Sequence, residues 1–223
     1  MKPEQFAAIT GYTFRQQDLL EQALTHCSYS RTANNERLEF FGDSILNLVI
    51  SKYIYRQFPD ADEGELSRIR ASLVKQETLA LVAMDMGLGA HIHLGGGELK
   101  SGGYRRASIL ADVLEAVIAA IYLDSDYQQT ETVILKLFQI YLQNLPDAAE
   151  LKDSKTRLQE ILQARKLELP EYEVEQTRGK SHNQVFTVSC NIAMLDLKTS
   201  GSGSSRKKAE QQAATKMLTR ISS

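Results

Sequence analysis

The stretch NERLEFFGDSILNLVISKYIY, residues 35–55, opens with three acids and continues as a strongly apolar run. Glu36, Glu39 and Asp43 are three or four positions apart, so a helix places them along one face. Like charges one turn apart repel, and an apolar setting makes each charge harder to keep. The stretch therefore predicts a helix, closed by Pro59, and raises the question of what compensates its acids.

A second acidic pair lies in ILADVLEAVIAAIYL, residues 109–123, where every residue other than Asp112 and Glu115 is apolar. The two acids are spaced i,i+3 and share one face of a helix that is otherwise fit for complete burial. Two unpaired anions there would each cost several kcal/mol, so they need a compensating cation. The helix offers no Lys or Arg after Arg106, which leaves a cation from elsewhere.

Packing of these two helices would bring together four carboxylates, those of Glu39, Asp43, Asp112 and Glu115. Carboxylates without His or Cys suit a hard, oxygen-seeking cation, Mg²⁺ with Mn²⁺ as a possible substitute. Mg²⁺ held in this way shares its coordination with phosphate, which indicates phosphoryl transfer with a metal-activated water as nucleophile. Taken singly, each acid could instead belong to a solvated face or a salt bridge.

Other positions are weaker candidates for chemistry. His91 and His93 alternate as in a strand or turn and have no third ligand nearby, which favours a structural role. His26 beside Cys27 raises the idea of a thiol nucleophile, but no Asn or Asp pattern supports it. Gly42 in mid-helix costs about 1 kcal/mol relative to Ala and indicates close approach by another element.

The composition is that of an ordinary globular protein, with 223 residues of which 43% are hydrophobic and 24% charged. The start, MKPEQFAAIT, has no apolar signal core, and no run approaches the roughly 18 apolar residues of a membrane span. Cys27 and Cys190 form no ligand or redox spacing, which is typical of a reducing cytosol. These features predict a cytoplasmic protein with no membrane partner and no organic cofactor.

Two domains are predicted. Apolar residues at helical spacing fill residues 1–145, interrupted by a mobile, glycine-rich loop at 94–106. The periodicity stops near residues 144–155, and beyond them an amphipathic helix precedes three strand-like runs, EYEVEQT, QVFTVSC and IAMLDLK. A glycine-serine turn, with Ser204 or Ser205 as the cap, enters a last helix. We expect an all-α catalytic domain (1–146), a linker (147–153) and a small α+β domain of order α-β-β-β-α (154–223).

The charge is divided between these parts. Residues 151–223 contain 13 Lys and Arg against 8 Asp and Glu, a net of +5, whereas residues 1–150 have a net of −7. Arg206, Lys207 and Lys208 occupy the first turn of the last helix, where cations oppose the helix dipole unless a phosphate sits there. The preceding Gly201 and Gly203 would let the backbone approach that phosphate. With few exposed aromatics, the module suits a double-stranded nucleic acid recognised by shape.

Several motifs together resemble one family, bacterial ribonuclease III. NERLEFFGDS resembles its signature, and ELKSGGYRRASILADVLEA resembles its second conserved stretch. SKTRLQEILQ, RGKSHNQVFTV and GSGSSRKKAEQQAA resemble the first helix, a strand-linking loop and the second helix of a double-stranded-RNA-binding domain. The resemblance covers essentially the whole chain, and the combination of two acidic motifs with this module is highly specific.

The resemblance implies roles for individual residues. Glu39, Asp43, Asp112 and Glu115 match the metal-binding acids, and Asp43 and Glu115 match the pair most directly tied to chemistry. Two residues match accessory acids, namely Glu36 and Glu63. The contacts of the first RNA-binding helix to the minor groove are matched by Thr156, Gln159, Glu160 and Gln163. His182 matches a loop contact, and the phosphate clamp is matched by Arg206, Lys207 and Lys208. The family acts as a homodimer, which gives Phe40 and Gly42 a place at a two-fold interface.

The resemblance therefore implies a Mg²⁺-dependent endoribonuclease that cuts both strands of double-stranded RNA. The products would carry 5′-phosphate and 3′-hydroxyl ends with a short 3′ overhang, and the substrates would be ribosomal RNA precursors and structured messenger RNAs. A factor that binds double-stranded RNA or the ribosome without cleaving is the main alternative, which the presence of all four acids disfavours. A phosphodiesterase acting on small nucleotides would leave residues 151–223 without a purpose.

Overall fold

The chain divides into two units, Met1–Ala148 and Ala149–Ser223, close to the predicted domain boundary. The computed structural model describes residues 3–145, 153–179 and 184–222. Most of the predicted linker, residues 147–152, lies outside these ranges, so its limits stay a prediction.

The described part of the first unit is helical, as the sequence predicts. No described helix in either unit has the length and apolar character needed to cross a membrane. The helices are α1 (Pro3–Thr10), α2 (Gln17–Ala23), α3 (Glu36–Gln57), α4 (Glu63–Val74), α5 (Gln76–Asp85), α6 (Gly96–Lys100), α7 (Ala107–Asp124), α8 (Tyr127–Leu137) and α9 (Gln139–Gln143).

Helix α7 forms the centre of this unit and packs against α2, α3 and α5. Its residues from Ile109 to Ile121 are all buried except the two acids, Asp112 and Glu115. Such all-round burial follows from a sequence that is apolar on every helical face. Because each buried Leu, Ile or Val side chain contributes roughly 1.5–3 kcal/mol, α7 is a major source of the unit's stability.

The carboxyl end of α7 is tied to the segment before α2 by one buried carboxylate. Asp124 accepts hydrogen bonds from the Tyr12 hydroxyl at 2.6 Å and from the backbone N–H groups of Arg15 and Gln16 at 2.7 and 2.9 Å. Burial alone would raise the pKa of Asp124, but these donors lower it below its usual range. The chain can therefore stabilise a buried anion fully where its role is structural.

The glycine-rich segment 94–106, predicted to be a mobile loop, contains regular structure, and its mobility stays a prediction. It forms α6 and a 3₁₀ turn over Gly103–Arg105, and Arg106 makes a salt bridge of 2.9 Å to Glu98. A Cβ at Gly89 would lie 2.3 Å from the Tyr104 carbonyl oxygen. The segment is therefore held at Tyr104 and Arg106, whereas Gly96 and Gly97 have open space around them.

The second unit has the predicted order α-β-β-β-α. Its elements are α10 (Ser154–Ala164), β1 (Glu171–Arg178), β2 (Val185–Ile192), β3 (Leu197–Gly203) and α11 (Arg206–Ser222). The strands form an antiparallel sheet in the order β1-β2-β3. A small core lies between sheet and helices and includes Leu158 and Leu162 of α10, Cys190 and Ile192 of β2, and Met217 of α11.

The third strand differs from its prediction. The run IAMLDLK includes a 3₁₀ turn at Ala193–Leu195 and a left-handed Asp196 with φ 49°, so β3 begins only at Leu197 and continues to Gly203. The glycines of β3 have a packing role: a Cβ at Gly201 would lie 2.3 Å from the backbone of both Ala209 and Ala213 in α11. Their approach to a phosphate stays a prediction. The predicted cap is confirmed at Ser205, whose hydroxyl accepts from the Lys208 N–H at 3.3 Å.

Candidate metal centre and RNA-binding surface

Helices α3 and α7 touch at Gly42. A Cβ at this position would lie 1.8 Å from the Glu115 carbonyl oxygen, so only glycine lets the two acidic motifs approach this closely. Gly42 is buried inside the chain and has no surface to offer a second subunit, which corrects its predicted place at a dimer interface. Phe40 differs, because 78% of its surface is exposed.

Three of the four predicted metal ligands converge at this crossing. One carboxylate oxygen from each of Glu39, Asp112 and Glu115 lies within 4.8 Å of the others. Asp43 is outside this group: its Oδ1 accepts a hydrogen bond of 2.7 Å from the Asn47 side chain. Asp43 nevertheless lies near enough that its charge acts on both Glu39 and Glu115.

The cluster holds its acids in an unfavourable electrostatic setting. Burial raises the pKa of Glu115 to about 8, helped by the charges of Asp43, Asp112 and Glu39. Burial also raises the pKa of Glu39, with contributions from Asp112, Glu36 and Asp43, and it raises that of Asp112. Without a bound cation, the raised pKa values therefore oppose ionisation of these acids at neutral pH.

The acids that are fully buried in the described part of the chain do have partners. Asp124 has its three donors, Glu131 pairs with Lys52 at 2.8 Å, and Glu210 pairs with Lys155 at 2.7 Å and Arg206 at 2.8 Å. Within the described residues, Glu39, Asp112 and Glu115 have no salt bridge and no hydrogen-bonded side-chain partner. Three converging, unpaired carboxylates are a donor set that fits a hard divalent cation.

The two predicted accessory acids are not among the three converging carboxylates. Glu36 is exposed in the first turn of α3, and its carboxylate accepts from the Asn34 side chain at 3.2 Å. Glu63 begins α4 and accepts from Ser67 at 2.9 Å. It lines a separate groove with Leu48 and Tyr55 of α3. Their accessory roles stay predictions.

His26 is a neighbour of the site that the sequence alone did not identify. A positive charge on its ring would lower the pKa of Asp112. Its Nδ1 accepts from the Ser28 N–H at 3.1 Å and lies 2.8 Å from the Ser28 hydroxyl, so the ring orientation is fixed. Burial and the nearby Glu36 raise the pKa of Cys27, which agrees with rejecting a thiol nucleophile. Helical spacing could not predict that His26 lies near Asp112, because His26 is in the loop before α3 and not on either acidic helix.

The predicted RNA-contacting residues of α10 share one exposed face. Thr156, Gln159, Glu160 and Gln163 follow i, i+3, i+4, i+7 spacing and are all exposed, whereas Leu158 and Leu162 on the other side are buried. The Asp153 side chain caps the helix by accepting from the Thr156 N–H at 2.8 Å. The fold thus presents these four side chains together, as a minor-groove reader requires.

The predicted phosphate clamp is exposed in the first turn of α11. Arg206 is bonded to the buried Glu210, so part of its charge is already compensated. Lys207 and Lys208 have no such ion pair with a described residue. His182 lies outside the described residues, so its predicted loop contact stays a prediction.

Comparison with known proteins agrees with this architecture. A model described as ribonuclease-III-like matches residues 16–142, and the double-stranded RNA binding motif matches residues 154–221. Ribonuclease 3 of Idiomarina loihiensis is 55% identical over 210 residues, covering 94% of this chain and 91% of the relative. Ribonuclease 3 of Actinobacillus pleuropneumoniae is 52% identical over 221 residues, covering 99% of each.

Solved structures match the first unit. The nuclease domain of ribonuclease III from Campylobacter jejuni gives a TM-score of 0.62 at 38% identity, covering 66% of this chain and 100% of that one. A second structure of that domain gives 0.61 at 39% identity, covering 62% and 97%, and is described as flexible in a region involved in dimer formation.

The fold and these matches identify the class of protein. It is an endoribonuclease that acts on double-stranded RNA and combines a helical nuclease domain with an RNA-binding motif. The chain belongs to the ribonuclease III family. Membership implies a divalent metal requirement, which the acidic cluster fits.

Proposed function

We propose that the chain hydrolyses both strands of double-stranded RNA with Mg²⁺, or Mn²⁺ in its place, held by Glu39, Asp112 and Glu115 with Asp43 beside them. The observation that carries the proposal is the contrast between these acids and Asp124. All three acids lie on α7, but Asp124 accepts from three donors of the segment before α2, whereas Asp112 and Glu115 accept from no described residue. An arrangement this unfavourable in isolation is stabilised by a bound cation.

The residues of the site have distinct tasks. When bound, a divalent cation activates water and neutralises charge on the phosphate. Glu115 would hold its proton in the empty site, because its pKa is raised to about 8, and would give up that proton to act as a metal ligand. Asn47 orients the Asp43 carboxylate through its 2.7 Å hydrogen bond. Gly42 keeps α3 against α7, so that Glu39 stays within reach of the α7 acids.

RNA selectivity is assigned to the second unit. The exposed face of α10, formed by Thr156, Gln159, Glu160 and Gln163, would contact 2′-hydroxyls in the minor groove of an A-form duplex. Lys207 and Lys208, with the partly compensated Arg206, would contact phosphate at the α11 N-terminus, where the helix dipole also favours an anion. His182 would add a contact from the loop between β1 and β2.

A homodimer is part of the proposal, with Phe40 at its interface. The Phe40 side chain is exposed beside a groove lined by Leu19, Gln22, Phe41 and Leu123, and burial of such a side chain favours association. The related Campylobacter jejuni nuclease domain is described as having a region involved in dimer formation, which supports a dimer by relationship. We also propose that cleavage leaves 5′-phosphate and 3′-hydroxyl ends with a short 3′ overhang. The proposed substrates are ribosomal RNA precursors and structured messenger RNAs in the cytoplasm.

The test is incubation of the purified chain with a labelled RNA duplex in Mg²⁺, in Mn²⁺ and in EDTA, beside the matching DNA duplex. We expect cleavage of the RNA alone, and only with a divalent cation. Binding of the duplex without cleavage in either metal would instead support the non-catalytic RNA-binding factor.

Two variants separate the acids from general charge effects. Glu115→Gln should bind duplex RNA as the parent does and fail to cut it, because the site then lacks one anionic ligand. Glu77→Gln removes an exposed acid of α5 and should cut normally. Equal cleavage by the two variants would show that Glu115 is not part of the catalytic site.

A further inference from the structure

The outer edge of strand β3 is covered by side chains of α11. The Gln212 side-chain oxygen accepts from the Ser202 N–H at 2.6 Å. The Lys216 ammonium donates to the Ser200 carbonyl at 2.7 Å, and the Arg220 guanidinium donates to the Lys198 carbonyl at 3.1 Å. The three helix residues are spaced by four, and the three strand residues are spaced by two.

This pairing has a geometric basis. Four residues of an α-helix advance about 6 Å, and two residues of a strand advance about 6.7 Å. One helix side chain therefore meets one outward-facing strand residue at each step. The contact that sets the spacing is close, because Gly201 leaves no room for a Cβ against Ala209 and Ala213.

The backbone groups of β3 that α11 covers are those with which a further strand would form hydrogen bonds. β3 pairs with β2 on one side only, and alternate residues of an edge strand direct their N–H and C=O groups away from the paired neighbour. Lys198, Ser200 and Ser202 are those residues, since their backbone groups bond to α11. An uncovered edge of this kind is a template for pairing with another chain.

We propose that Gln212, Lys216 and Arg220 form an edge seal that prevents β3 from pairing with β3 of a second copy of this chain. The seal keeps RNA-binding units separate, even at the high local concentration that dimeric nuclease units would create. It also assigns Lys216 and Arg220 a structural task in a unit whose net positive charge otherwise suggests RNA contact throughout.

The positions of these cations agree with that assignment. Lys216 follows Lys207 by nine residues, which is about 13.5 Å and two and a half turns along the helix, so the two cations lie on opposite sides of α11. Lys216 and Arg220 line a groove together with Lys198. Lys198 is itself paired with Glu175 at 2.8 Å. The groove is therefore less positive than its composition indicates.

The first test is the oligomeric state of the full chain by sedimentation velocity over a range of concentrations. Gln212→Ala/Lys216→Ala/Arg220→Ala should form larger species than the parent, increasingly so with concentration. Ser200→Pro in that background should abolish them, because its ring removes an outward N–H and leaves the β2 pairing intact. An unchanged oligomeric state in the folded triple variant, or larger species that persist with Ser200→Pro, would overturn the proposal.

The second test is the salt dependence of duplex RNA binding in EDTA. Lys216→Ala/Arg220→Ala should keep the parent's slope of log affinity against log salt, whereas Lys207→Ala/Lys208→Ala should reduce it by about 2, roughly one for each lost phosphate contact. A reduced slope in the first variant would place those cations on RNA and contradict the seal. The Lys207→Ala/Lys208→Ala variant tests the proposed phosphate clamp separately. An unchanged slope in that variant would contradict the clamp and not the edge seal.

Discussion

Substitution of Glu115 by Gln should stabilise the metal-free protein at alkaline pH and leave it unchanged in acid. The folded-state pKa of Glu115 is about 8, against 4.5 in the unfolded chain. Between these values the folded state holds a proton that the unfolded state has lost, so stability falls as pH rises until about 8. Glutamine has no proton to lose and avoids this penalty.

The size of the effect follows from the shift. Full linkage would give about 5 kcal/mol above pH 8, and solvent screening at this partly exposed group reduces the expected gain to about 2 kcal/mol. For a unit of this size, that corresponds to a rise of roughly 4–8 °C in melting temperature. Calorimetric melting in EDTA at pH 5, 7 and 9 measures it directly.

The matched control is Glu77→Gln, which removes an exposed acid of α5. Its melting temperature should follow the parent at every pH. If Glu115→Gln melted at or below the parent at pH 9, or differed equally at pH 5 and 9, burial of an unpaired carboxylate would not describe this site.

Four more substitutions test separate parts of the account. Gly42→Ala should cost about 1–3 kcal/mol of stability and lower cleavage, because α3 must move from α7; Gly96→Ala, with open space around it, should do neither. Phe40→Asp should convert dimers to monomers in sedimentation with an unchanged circular dichroism spectrum. Gln159→Ala should weaken duplex binding by about 1 kcal/mol without altering the salt slope, since no charge is lost. Asp124→Ala should lower the free energy of unfolding by about 2–3 kcal/mol, because Tyr12 and two backbone donors lose their acceptor.

Each of these has a contradicting result. A fully active and stable Gly42→Ala protein would refute the helix contact, and a dimeric Phe40→Asp protein would remove that side chain from the interface. Unchanged RNA affinity in Gln159→Ala would place the minor-groove contact elsewhere. Normal unfolding of Asp124→Ala would show that its three hydrogen bonds add little.

The convergence of acids between α3 and α7 could be predicted from the sequence because its signal is local. Two acids in an otherwise apolar helix mark Asp112 and Glu115, and their convergence with Glu39 follows once α7 packs on α3. The sequence did not predict which acid of α3 joins the two acids of α7. Nothing in the spacing distinguishes Glu39, which converges with them, from Asp43, which is hydrogen-bonded to Asn47. The ring of His26 approaches Asp112 through tertiary packing alone.

The β-rich unit shows where local patterns fail. Hydrophobic alternation placed the third strand at IAMLDLK, but Asp196 adopts a left-handed conformation that breaks the run. The true strand includes Gly201 and Gly203, residues that usually disfavour strands. They are accommodated because α11 lies against them, a long-range requirement that strand propensity does not contain. The same packing gives these two glycines a structural role that the sequence did not reveal.

The most direct test of the central claim is calorimetric titration of Mg²⁺ into the metal-free chain at pH 7, in two buffers of different ionisation enthalpy. With a pKa of about 8, Glu115 should release about one proton on metal binding at pH 7 and about a tenth of one at pH 9. Glu115→Gln should lose both the proton release and most of the affinity. Identical heats for parent and variant would contradict the proposal that the α3–α7 carboxylates form the metal site.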